Sequence, residues 1–121
     1  MSKSKKLIVN LSNNAKDDVS TVAFTVANAA LSKGLEVAVF LSSDGVELSR
    51  AGAYEYTHVA PFKKLNELVE GFVTSGGTVW ACTPCFNHRG LDAGSNIEGI
   101  EVVGAGPMLD WVLDGAQTLT F

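Results

Sequence analysis

The stretch WACTPCFNHRG, residues 80–90, holds both cysteines of the chain and one of its two histidines. Its start belongs to TVWAC (78–82), which predicts a buried strand with Cys82 as its last residue. A short helical or looped segment follows. A dithiol switch, a metal knuckle and a platform for one reactive sulfur all fit these letters, and they belong to different folds. The surrounding chain decides between them.

Upstream, KLIVNL (6–11) reads as a buried strand. Asn13 or Asn14 is expected to cap the next helix, with Asp17 and Asp18 in its first turn. Val19, Val22, Ala23, Val26 and Ala30 recur at helical spacing up to Lys33, and Gly34 stops the helix. LEVAVFL (35–41) is apolar on both faces, as a strand in the middle of a parallel sheet must be. SSDG (42–45) reads as a loop, and 46–60 as a short helix followed by irregular chain. Pro61 is placed in a helix's first turn, ahead of the stripe Leu65, Leu68, Val69 and Phe72. SGG (75–77) ends that helix.

Downstream, GIEVVG (99–104) is a fourth strand. Pro107 opens a helix through Trp111 to Asp114, and Gly115 leads into AQTLTF (116–121), a fifth strand. The alternation predicts an α/β fold, a parallel sheet covered by helices on both faces. Ligands of such sheets sit beyond the carboxyl ends of the strands. Here those ends carry Asn10 to Asn13, Ser42 to Asp44, Cys82 to Cys85, and Gly104 to Gly106.

The composition narrows the partners. An apolar share of 46% against 18% charge marks a globular chain. Its 121 residues suffice for a single domain, 1–121, whose core closes without disulfide or metal. A net charge of −4 argues against nucleic acid, whose binders carry a basic face. MSKSKK, the only basic cluster, reads as a solubilising tail. No apolar run is long enough for a secretory signal or a membrane span, so no membrane partner is expected. Two cysteines two residues apart are no secreted framework, and a reducing cytoplasm is the expected compartment.

Three chemistries compete at 82–90. WACTPC differs from the W-C-x-P-C of thioredoxins by one inserted alanine, and only 36 residues follow Cys85. That is too few for the strand, helix, hairpin and final helix a thioredoxin still needs. Cys82, Cys85 and His88 form a C-x-x-C-x-x-H that His58 or Asp92 would complete as a metal site. A single knuckle is a weak signal in a chain with a core of its own. The third reading is one nucleophilic or persulfide-bearing cysteine. A helix N-terminus beside it would lower its pKa and favour the thiolate.

A cysteine closing the third strand, with Arg-Gly seven and eight residues later, resembles the DsrE/DsrF-like family. That family includes TusD-type sulfur-relay subunits and small proteins called predicted peroxiredoxins. Cys82, Arg89 and Gly90 carry the match, Cys85 adds the second cysteine of C-x-x-C-x-x-x-R-G members, and the strand order fits over nearly the whole chain. The resemblance implies a three-layer α/β/α sandwich with a five-stranded parallel sheet. It implies a homo-oligomer, trimer or hexamer, or an assembly with paralogues. It also implies that Cys82 accepts sulfane sulfur from a donor protein and passes it to an acceptor as a persulfide. Neither cofactor nor metal is expected, and Cys85 becomes a candidate resolving thiol.

Such transfer is attack of sulfur on sulfur and needs a thiolate rather than an acid/base cluster. Arg89 or His88, folded back toward Cys82, would favour the anion, and Thr83 with nearby backbone N–H groups would solvate a persulfide. The residues alone also leave open a small-molecule or metal-binding regulatory module using Cys82, Cys85 and His88, and a Cys82–Cys85 thiol–disulfide couple. Asn13, Ser42 and Asp44 are further ligand candidates, as are Gly104 and Gly106 in GAGP (104–107), a glycine turn before a helix. Its spacing is neither a dinucleotide fingerprint nor a P-loop. His58, with Tyr54 and Tyr56, is placed in a surface loop near a lid or subunit face. Trp80 and Trp111 are expected as core or interface anchors.

Overall fold

A computed structural model describes residues 5–121. Strands β1 (Lys6–Leu11), β2 (Glu36–Leu41), β3 (Thr78–Cys82), β4 (Ile100–Val103) and β5 (Gln117–Thr120) form one sheet in the order β4-β3-β2-β1-β5. Every pairing is parallel. The helices are α1 (Asp18–Ser32), α2 (Leu65–Thr74), α3 (Thr83–His88) and α4 (Gly106–Leu113).

Crossover handedness turns that order into layers. Parallel crossovers are right-handed in nearly every protein. The steps from β1 through β4 all move the same way across the sheet, so α1, α2 and α3 lie on one face. The step from β4 to β5 runs back across the sheet, so α4 must lie on the other. The side chains agree. Leu7, Val9, Leu11, Val37, Val39 and Leu41 pack with Phe24, Phe72 and Phe86 on the first face. Ile8, Ala38, Phe40 and Trp80 pack with Met108 and Trp111 on the second. The result is the expected three-layer α/β/α sandwich on a five-stranded parallel sheet, with a third layer of one short helix.

Each layer has an aromatic anchor. Fully buried Phe24 and Phe72 meet edge to face at 5.8 Å, locking α1 against α2. On the other face Trp80 and Trp111 meet edge to face at 5.3 Å, in the core as expected. Lys6 adds a clamp there, pairing with Asp114 and lying 5.1 Å over the Trp111 ring. The Asp114 hydrogen bond holds the Lys6 amine above the usual lysine range. The basic tail of the sequence reading thus loses Lys6 to β1, while its first four residues lie outside those described.

Local boundaries depart from expectation at several places. The helix cap is Asp17, whose carboxylate accepts the Val19 N–H, and not Asn13 or Asn14. Asn14 instead closes a turn, accepting from the Lys16 N–H, so the helix starts later. A 3₁₀ segment runs over 43–49, so the short helix read from residue 46 starts earlier and takes in most of the expected loop 42–45. Pro61 precedes the second helix instead of opening it. The Leu65 N–H is already used by the Thr57 carbonyl, and the helix begins where the apolar stripe begins. The outer strands are each one residue shorter at both ends than GIEVVG and AQTLTF suggested.

Gly45 lets the 3₁₀ segment close over the end of β1. A Cβ there would collide with the Leu11 carbonyl oxygen, which accepts the Ser42 N–H at 3.1 Å. Gly45→Ala is therefore expected to destabilise the protein by about 1–3 kcal/mol, as overpacking of a tight site does. The measurement is a urea melt, with a lower midpoint at unchanged slope. An unchanged midpoint would contradict the packing described.

Candidate functional site

The reversal of crossover direction creates one special place. The chain leaving β3 enters α3 on the first face, whereas the chain leaving its neighbour β4 enters α4 on the second. Adjacent strands whose connections part to opposite faces leave a crevice beyond their carboxyl ends, and there α/β proteins bind ligands. Cys82 is the last residue of β3, in register with Val103, the last of β4. Gly104 and Gly106 follow on the other wall, exposed at the entry to α4. The third strand's end and the glycine turn are thus brought side by side at the carboxyl end of the sheet.

Cys82 is both strand end and N-cap of α3, with Pro84 in the helix's first turn. Both cysteines are free and half-buried. The Cys82 thiol titrates above its ordinary value, chiefly because burial disfavours the charged form. The Cys85 backbone N–H opposes this shift, while the Cys85 side chain, as hydrogen-bond partner and as charge, adds to it. The expected depression by a helix N-terminus is outweighed: desolvation wins at the end of a central strand, and α3 is only six residues long.

The Arg-Gly pair has a structural logic of its own. Gly90 takes φ +62°, the left-handed conformation that ends a helix, and its N–H bonds the Asn87 carbonyl at 3.0 Å. Arg89 turns back along the helix. Its Nη1 donates to the Cys85 carbonyl at 3.2 Å, its Nη2 pairs with Asp44 at 2.7 Å, and its Nε lies 3.9 Å from Glu47. The guanidinium is committed to these three partners rather than to the Cys82 sulfur. Arg89 therefore acts on the site by tying α3 to the 3₁₀ segment. Glu47 was missed in the sequence; its spacing of three from Asp44 puts both on one face once 43–49 is seen to be helical.

The other candidates separate into groups. Asn13 and Asp44 line a polar cleft at the carboxyl end of β1 together with Asp17 and Asp18. Arg89 lines another, with Arg50, Asp92 and Ser95. Cys82 lines neither. Ser42 is the residue before the 3₁₀ segment, with its N–H spent on Leu11. Thr83 stands half-buried in the first turn of α3, while His88 is exposed in its last. His58 is held inside its own loop by the Phe62 carbonyl at 2.8 Å. Tyr54 is buried, its hydroxyl donating to the Leu48 carbonyl at 2.7 Å, and burial raises its pKa. Among the described residues no three His, Cys, Asp or Glu side chains converge to hold a metal, so Cys82, Cys85 and His88 are not brought together as a ligand set. No helix among them is long and apolar enough to cross a membrane.

A raised thiol pKa has a direct kinetic consequence. At neutral pH the thiolate fraction of Cys82 is below that of a free cysteine and grows only as pH climbs past the ordinary thiol range. Alkylation of Cys85→Ser by iodoacetamide reports Cys82 alone. Its rate–pH curve is expected to have a midpoint above that of an unfolded control peptide. A midpoint at or below the control would show that burial does not dominate.

Comparison with other proteins agrees with this architecture. The uncharacterized protein MK0008 of Methanopyrus kandleri is 33% identical over 82% of this chain and 78% of its own length. The uncharacterized protein MJ0760 of Methanocaldococcus jannaschii is 27% identical over 87% of this chain, which spans only 38% of that longer protein. Among solved structures, the YchN protein of E. coli superposes with a TM-score of 0.80 at 22% identity, covering 98% of this chain and 99% of that one. MTH1491 of Methanobacterium thermoautotrophicum, of unknown function, gives 0.70 at 20% identity, covering 96% and 98%. The family profile of the DsrE/DsrF-like proteins matches residues 4–121, and the chain belongs to the DsrE/DsrF-like family.

Proposed function

We infer that the protein is a sulfur carrier in which Cys82 accepts sulfane sulfur from a donor and passes it on as a persulfide. The observation that carries this reading is the position of Cys82: a free, half-buried thiol closing β3, where the connections of β3 and β4 part. Membership of a family with sulfur-relay subunits supports it. The Cys85 backbone N–H, which already bonds the Cys82 sulfur, is placed to meet a persulfide anion. Because burial raises the Cys82 pKa, the thiolate that accepts sulfur is a smaller fraction at neutral pH than in a free cysteine. Random oxidants then find little thiolate to attack. Donor and acceptor are accordingly proteins that reach the carboxyl end of the sheet.

Incubation with inorganic polysulfide followed by intact-mass measurement tests this. Cys85→Ser is expected to gain one sulfur mass, mapped to Cys82, and Cys82→Ser to gain none that lasts. Failure of Cys85→Ser to take up sulfur at Cys82, or stable sulfur found on Cys85 alone in the wild type, would overturn the assignment.

The assembly that accompanies this reading is a homo-oligomer, trimer or hexamer. Its support is apolar surface out of place on a monomer: Leu109 (52% exposed), Val112 (44%) and Leu113 (86%) on α4, and, on the opposite face of the sheet, Leu119 (43%) of the edge strand β5. Sedimentation is expected to show an oligomer that Leu113→Asp weakens by at least about tenfold in dissociation constant, the loss of one buried leucine at an interface. A wild-type monomer at all concentrations would refute it.

A further inference from the structure

The two thiols stand in a relation that the carrier step alone does not use. Cys82 is the N-cap of α3 and Cys85 its third helical residue. Side chains at these two positions face each other across the first turn, the relation that a capping box exploits. Both thiols are free, and the Cys85 side chain is near enough to act on Cys82 as hydrogen-bond partner and as charge. The backbone carrying Cys85 is also held in place, since its carbonyl accepts from Arg89, itself paired with Asp44 and Glu47.

We propose, resting on the reading of Cys82 as a persulfide carrier, that Cys85 is a resolving thiol that discharges an unclaimed persulfide as hydrosulfide and leaves a Cys82–Cys85 disulfide. The Cys85 thiol gives its proton to water, and its sulfur bonds to Sγ of Cys82. The sulfur–sulfur bond of the persulfide breaks, and the terminal sulfur leaves as hydrosulfide with that bond's electron pair. The sulfane sulfur is reduced as the two cysteines are oxidised, so no outside oxidant is consumed. A dithiol reductant, itself oxidised to a disulfide, returns both thiols.

Leaving-group chemistry favours this direction. Displacement at sulfur is faster when the expelled thiol is more acidic. Attack on the terminal sulfur must expel the Cys82 thiolate, which its burial makes a poor leaving group. Attack on Sγ of Cys82 expels hydrosulfide, the anion of a stronger acid. Cys85 already lies beside that inner sulfur, across the first turn of α3. An acceptor protein therefore competes against an internal thiol, and the loaded state is self-limiting.

The test loads the wild type, Cys85→Ser and Cys85→Ala with inorganic polysulfide, removes the excess, and follows protein mass and free sulfide with time. The wild type is expected to fall to a mass two hydrogens below the reduced chain while releasing equimolar sulfide. Both variants are expected to keep the sulfur about a hundredfold longer, an intramolecular attack having been lost. A loaded wild type that holds its sulfur as long as the variants overturns the discharge step and leaves the carrier reading intact. Sulfur that migrates to Cys85 without sulfide release also overturns it. Failure of any form to load Cys82 overturns both. The wild-type arm is decisive without the variants, so their folding does not limit the outcome.

Discussion

The handedness of one connection organises this molecule. Four strands are laid down in one direction, with their helices on one face, and the fifth is reached by going back across the sheet. A right-handed return places α4 on the opposite face, where among the described residues it is the one helix shielding Ile8, Ala38, Phe40 and Trp80. The same reversal parts the connections of β3 and β4. The third layer and the crevice holding Cys82 are therefore two consequences of one topological step. A fold that added β5 beside β4 would have neither.

Around that crevice, the polar residues hold the chain in place more than they reach for a ligand. Arg89 shows this best. Its ion pairs with Asp44 and Glu47 and its bond to the Cys85 carbonyl join the segment after β2 to the segment after β3. Arg89 is half-buried but both carboxylates are exposed, so these contacts fix geometry more than they add stability. Gly90 is required because the helix must end within one residue for Arg89 to turn back. The Arg-Gly signature is thus a brace for the two cysteines, and its spacing from Cys82 is the length of one short helix.

Most of the fold was legible because strands here are nearly pure apolar runs and helices carry clear stripes. KLIVNL, LEVAVFL and TVWAC sit within one residue of their observed strands, and Gly34 ends α1 as expected. The segment 43–61 was not legible. Its order comes from contacts distant in sequence, such as the Ile97 N–H on the Ser49 carbonyl and the Ala51 N–H on Ser95, which leave no period in the letters. The site was half legible. A cysteine at a strand tip can be read from the pattern, whereas the direction of its pKa shift depends on how deeply neighbouring strands bury it, and the partners of Arg89 lie 45 and 42 residues away.

The thin third layer joins surface to site. α4 borders the crevice where it begins, and it presents Leu109, Val112 and Leu113 outward along its length. Its inner side rests Met108 and Trp111 on Ile8, Ala38, Phe40 and Trp80, with the Lys6–Asp114 pair at its far end. Trp80 is two residues from Cys82 on the same face of β3, so a shift of Trp111 is felt by the wall of the crevice. Cys82 and Trp111 pack against the same small cluster, so α4 and the end of β3 share one packed face.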